Sequence, residues 1–106
     1  MLDDLCATGG TLIRAAEACR RAGARSVHAA VTHTPLAAGL EALLAAETLS
    51  GIVATDSVGI EFPAAHSPAA SGKLVTLPIA PLIAQAVRRM SAGEPVGPLL
   101  ERWPPH

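Results

Sequence analysis

Asp3-Asp4-Leu5-Cys6-Ala7-Thr8-Gly9-Gly10-Thr11-Leu12 places two adjacent carboxylates ahead of a short Thr/Gly turn that feeds an apolar-periodic helix. Glycines lack a Cβ, so in such a turn the backbone N–H groups of residues 8 to 11 can close on an anion, and the helix N-terminus favours its negative charge. The hydroxyls of Thr8 and Thr11 add donors. Asp3 and Asp4, just upstream, can accept hydrogen bonds from ribose hydroxyls or help hold a hydrated Mg²⁺, which takes one or two carboxylates together with substrate oxygens. One end of the motif suits hydroxyls and the other phosphate, which together describe a sugar phosphate. A plain N-capped helix start, with Thr8 or Asp4 as the cap, accounts for the same residues without a ligand.

Working outward, Leu12, Ile13, Ala16 and Cys19 recur at helical spacing from Thr11 to about Ala22, and Gly23 ends the helix as its cap. Ser26 to Thr32 is a short, β-branched run of the kind found in a parallel strand covered on both faces, with His28 packed inside it. His33-Thr34-Pro35 breaks that run. Leu36 to about Leu49 predicts a second helix with Gly39 in its first turn, and Gly51 to Thr55 a strand followed by Asp56-Ser57. Residues 59 to 72 carry two prolines and little periodicity, which predicts a loop. Lys73 to Leu77 is the next strand, and Ile79 to Ala92 an amphipathic helix with Leu82, Ile83, Ala86, Val87 and Met90 on one face, closed by Gly93. Pro95 to His106 reads as a tail packing through Leu99, Leu100 and Trp103.

Alternating strands and helices of these lengths predict an α/β fold with a parallel sheet. Ligands of such sheets bind beyond the carboxyl ends of the strands, where Asp3-Asp4, Thr32-His33 and Thr55-Asp56 are all expected. His33 either lines that site or is a surface turn residue before proline. Asp56 either lines it or caps a strand end.

With these segments in view, the chain resembles the C-terminal half of the ribose-phosphate pyrophosphokinase family, built on the type I phosphoribosyltransferase fold. The opening stretch is similar to the phosphoribosyl-binding loop, with its Asp-Asp and Thr-Gly-Gly-Thr. Ala30-Val31-Thr32-His33, Gly51-Ile52-Val53-Ala54-Thr55-Asp56-Ser57 and Val75 to Leu100 resemble the segments that follow it. The resemblance implies a phosphoribosyltransferase-like domain at 1–94 with a tail at 95–106. It implies transfer of the β,γ-diphosphoryl group of ATP to the 1-hydroxyl of ribose 5-phosphate, giving phosphoribosyl pyrophosphate and AMP for nucleotide biosynthesis. Asp3, Asp4, Ala7, Thr8, Gly9, Gly10 and Thr11 then bind ribose 5-phosphate, with Mg²⁺ as cofactor. Ala7 stands where many family members carry an acid. The strand before Asp3 is nearly absent, and so is the family's N-terminal half, which supplies most ATP contacts. These departures imply an N-terminally truncated domain that meets ATP only if another chain supplies that half, and that forms homo-oligomers or joins a synthetase chain. The enzyme alternative is a salvage-type phosphoribosyltransferase, for whose base-recognition hood Phe62 and Trp103 are the only aromatic residues. The third reading is a non-catalytic subunit of a full-length synthetase.

Length and composition narrow the rest. At 106 residues the chain is one domain, and a net charge of −1 offers no basic stripe for nucleic acid. No apolar run reaches the roughly 18 residues of a membrane span, and no basic n-region opens the chain, which implies a cytoplasmic protein. Cys6 and Cys19 show no metal-ligand spacing and read as reduced thiols, Cys6 as a small buried residue. His66 and His106 fall in the loop and tail, and Arg88 and Arg89 on the polar face of the last helix.

Overall fold

The computed structural model describes residues 1–34, 37–58 and 72–101. Within them four strands, β1 (Leu2–Leu5), β2 (His28–His33), β3 (Gly51–Thr55) and β4 (Leu74–Leu77), form one parallel sheet in the order β1-β2-β3-β4. The helices are α1 (Gly10–Arg21), α2 (Ala37–Ala45), α3 (Ala80–Ser91) and the single turn α4 (Pro98–Glu101). This is the expected α/β architecture. Pro35, Leu36, the expected loop apart from Gly72, and Phe62, His66, Trp103 and His106 lie outside the described residues.

Strand order decides where the core sits. Parallel neighbours are joined by right-handed crossovers, so a sheet that advances steadily from β1 to β3 sends both crossover helices to the same face. Leu12 and Ala16 of α1 and Leu40, Leu43 and Leu44 of α2 are buried there against Ala29, Val31 and Ile52. Leu40, Leu43 and Ile52 are fully buried, each worth about 1.5–3 kcal/mol by transfer from water. The opposite face is open. Its row Leu2-Ala30-Val53-Val75 runs through all four strands in register, and Leu2 and Val75 are exposed.

Local chemistry fixes the helix ends. After α1, Gly23 adopts φ +96° and donates to Arg20 O while Ala24 donates to Cys19 O, a Schellman closure. Gly93 repeats it after α3, with bonds from Gly93 to Met90 O and from Glu94 to Arg89 O. The second helix ends at Ala45, well short of the expected Leu49. The cause is tertiary: Lys73 Nζ donates to Leu44 O at 2.8 Å and Ala46 O at 2.7 Å, capping the C-terminus with a cation. Arg20 secures the following turn, donating to Thr48 O at 3.0 Å and Ser50 Oγ at 2.9 Å.

Several expectations are corrected. His28 is the exposed first residue of β2 rather than a packed mid-strand residue. Asp3 and Asp4 lie inside β1, not beyond its end. Residues 98–101 form a helical turn, and Leu100 is 84% exposed instead of packed.

Truncating the core and the exposed last turn should therefore differ sharply. Leu43→Ala is expected to lower the unfolding free energy by about 2–5 kcal/mol and Leu100→Ala by under about 0.5 kcal/mol. Urea unfolding followed by circular dichroism measures both.

Candidate functional site

The turn between β1 and α1 is built around Gly9. Its φ of +76° lies in the left-handed region, where a Cβ is strained, and it stands as the N-cap of α1 without a side-chain cap bond. The capping role considered for Thr8 or Asp4 is therefore not theirs. Cys6 N donates to His33 O at 2.8 Å and Ile13 N donates to Gly9 O at 3.0 Å. Between those two donors, among the described residues, the N–H groups of residues 7 to 12 have no backbone oxygen acceptor. Six amides are thus gathered at the positive end of a twelve-residue helix, an arrangement that attracts an oxyanion.

A cavity of about 150 Å³ opens at this turn, lined by Asp3, Leu5, Cys6, Ala7, Thr8, Gly9, Thr11 and Leu12. At about 30 Å³ for each water in the liquid, it has room for a phosphate group. Gly10, the first residue of α1, is the remaining member of the expected set. The structure therefore brings Asp3, Ala7, Thr8, Gly9, Gly10 and Thr11 together. Asp4 is separated from them by strand alternation: Asp3 is registered with Val31 on the helix-covered side, and Asp4 falls on the open side. There Asp4 lines a second cavity of about 440 Å³ with Leu2, Thr32, Val53, Thr55 and Leu77, and Asp3 reaches it as well.

Sequence reasoning missed Arg14. Its Nη2 donates to Thr11 Oγ1 at 3.5 Å, and its Nη1 lies 3.4 Å from where a Cβ on Gly10 would stand. The guanidinium thus lies beside Gly10 and Thr11. The i to i+3 spacing from Thr11 is the signal that could have found it. Lys73 is held instead at the end of α2.

His33 and Asp56 serve the frame. His33 ends β2, its carbonyl holds Cys6 N, and its Nδ1 is 2.6 Å from Ser57 Oγ, which donates to Thr32 O at 3.0 Å. Asp56 Oδ1 accepts the N–H of Ile79 at 2.8 Å and so fixes the entry into α3. Neither lines the cavity at the turn.

Cys6 is buried under the turn and Cys19 is exposed. Burial pushes the Cys6 thiol above its ordinary value; the Gly9 amide opposes this and the Asp3 carboxylate adds to it. Folded Cys6 therefore keeps its proton where the unfolded chain releases it, so this group's contribution to stability is full at neutral pH and falls as pH rises through the thiol range.

Two outcomes follow from this geometry. Gly9→Ala should cost about 1–2 kcal/mol through its left-handed backbone, whereas Gly10→Ala, in helical conformation with only ordinary contacts, should leave stability equal or raise it by up to about 1 kcal/mol. Thermal unfolding of both variants reads the contrast. Iodoacetamide at pH 8 should alkylate Cys19 well before Cys6, and peptide mass spectrometry over time shows the order.

The sequence profile of the phosphoribosyl synthetase-associated domain matches residues 1–101. A ribose-phosphate pyrophosphokinase of Hyphomonas neptunium is 39% identical over 102 residues, covering 96% of this chain and 31% of the relative. One of Bradyrhizobium diazoefficiens is 37% identical over 101 residues, covering 95% and 31%. One of Vibrio parahaemolyticus is 34% identical over 96 residues, covering 91% and 29%. The chain thus spans under a third of the length of these relatives. It belongs to the phosphoribosyl synthetase-associated domain family.

Proposed function

We propose that this chain binds ribose 5-phosphate, and its pyrophosphorylated product, at the turn between β1 and α1. The carrying observation is the run of N–H groups at residues 7 to 12, without backbone acceptors among the described residues, beside a cavity of phosphate size. In this reading the 5-phosphate takes the amides of Thr8, Gly9, Gly10 and Thr11 and the threonine hydroxyls, while Asp3 accepts from a ribose hydroxyl. Asp4, on the other side of β1, meets the sugar only across the strand edge. Ala7 keeps the turn narrow without adding charge.

The family reaction moves a diphosphoryl group, and such transfers rest on positioning and on neutralising charge spread over several oxygens. Arg14 is the one guanidinium at the turn among the described residues. No group of three or more His, Cys, Asp or Glu side chains converges among them to hold a metal. Mg²⁺ would therefore ride on substrate oxygens and water, with Asp3 as its protein partner, and supply charge neutralisation. ATP and turnover call on groups beyond those gathered at this turn. No helix among the described residues is long and apolar enough to cross a membrane, and the reading places the chain in the cytoplasm with nucleotide biosynthesis.

Calorimetric titration with ribose 5-phosphate and Mg²⁺, paired with an assay for AMP formed from ATP, tests the reading. Binding without AMP is expected, and Asp3→Ala should abolish it. Unchanged binding in Asp3→Ala, or no binding by the folded chain, would sink the assignment. Arg14→Gln should weaken binding about two- to fivefold at low salt and by less at high salt, as an exposed charge does.

A further inference from the structure

The open side of the sheet and the free side of α3 are two halves of one interface, both on this chain. The row Leu2-Ala30-Val53-Val75 crosses the sheet, and Leu77 follows it on β4. On α3, Leu82, Ile83, Val87 and Met90 lie along one stripe and are all at least half exposed, and no residue of the helix is buried. Charge is sparse on both. On the open face the only charged strand residue is Asp4, and Arg88 and Arg89 lie off the apolar stripe of α3, where Arg89 pairs with Glu94 at 3.6 Å.

The two halves do not meet within one copy. Pro78 and Ile79 alone separate β4 from α3, Asp56 holds Ile79 N at 2.8 Å, and no residue of α3 is buried. The Cα radius of gyration is 16.0 Å, against about 13 Å for a compact chain of about 100 residues.

We propose that two copies exchange this element, each laying α3 on the open sheet face of the other. A reciprocal exchange is a closed two-fold dimer, and it leaves the Asp56–Ile79 bond of each copy in place. Over two copies the free apolar surface of these side chains is on the order of 1,000 Å². That is about the apolar share of a stable interface of roughly 1,600 Å². Leu77 shares its register row with Thr55, so the exchanged helix covers the wider cavity of the open face, while the cavity at the turn between β1 and α1 has its own lining at residues 3 to 12.

Sedimentation equilibrium tests this without reference to any ligand. The chain of 10.8 kDa is expected to sediment at twice that mass at micromolar concentration. Val75→Lys on the sheet and Val87→Glu on the helix should each give a monomer with an unchanged circular dichroism spectrum, and Leu100→Glu should remain dimeric. Mixing the Val75→Lys and Val87→Glu chains should restore a dimer, because one native contact then forms beside one Lys–Glu contact. A monomeric parent chain, including one that pairs only with a longer pyrophosphokinase, overturns the proposal. So does a dimer that survives both substitutions. A mixture that stays monomeric, as it must if like faces pair with like, overturns it too.

Discussion

The steady advance of strand order is the constraint on which this molecule depends. Because β1, β2 and β3 are parallel neighbours in sequence order, both crossover helices lie on one side, and the buried leucines of α1 and α2 follow them there. The same constraint sets the N-terminus of α1 against the carboxyl end of β1, where the Cys6–His33 backbone bond continues the ladder into the turn. Site and open face are two results of one topology. A sheet covered on both sides would need a strand order that reverses.

Within that frame the turn is made by backbone conformation more than by side chains. Gly9 takes the left-handed geometry that turns the chain from β1 into α1, and Cys6 is a small buried residue beside it. A buried thiol that resists ionisation suits that place, because a thiolate under the turn would compete with an incoming phosphate for the same amides. Arg14, placed outside the turn and not beneath it, adds positive charge without the desolvation cost of a buried cation.

What could be read from the sequence was what local chemistry controls. Gly23 and Gly93 closed their helices as expected because a Schellman turn needs only a residue at ease with positive φ. The Thr-Gly-Gly-Thr turn, the parallel sheet and β3 were legible for the same reason. The end of α2 was not, because it is set by Lys73 arriving from β4 through a side chain distant in sequence. His28 was misplaced because its strand begins later than its apolar composition suggests. Alternation within β1 separates Asp3 from Asp4, and a pair of adjacent carboxylates does not reveal that until the strand's extent is known. Arg14 escaped notice because on a helical wheel it is one more polar-face residue. Its contact with Thr11 becomes informative only once the turn at Gly9 is in place.

The balance between binding and catalysis at this turn is itself a physical argument. Amides that grip a phosphate remote from the bond being made hold ground state and transition state alike, which secures the substrate without speeding the transfer. Acceleration comes from charge placed where it develops, on the diphosphoryl group and the attacking 1-hydroxyl. Asp3 lines the cavity with negative charge and Arg14 lies beside the turn, so a ligand bound as proposed would meet one charge of each sign. Neutralising a transferring diphosphate would call for positive charge beyond the residues that line this cavity.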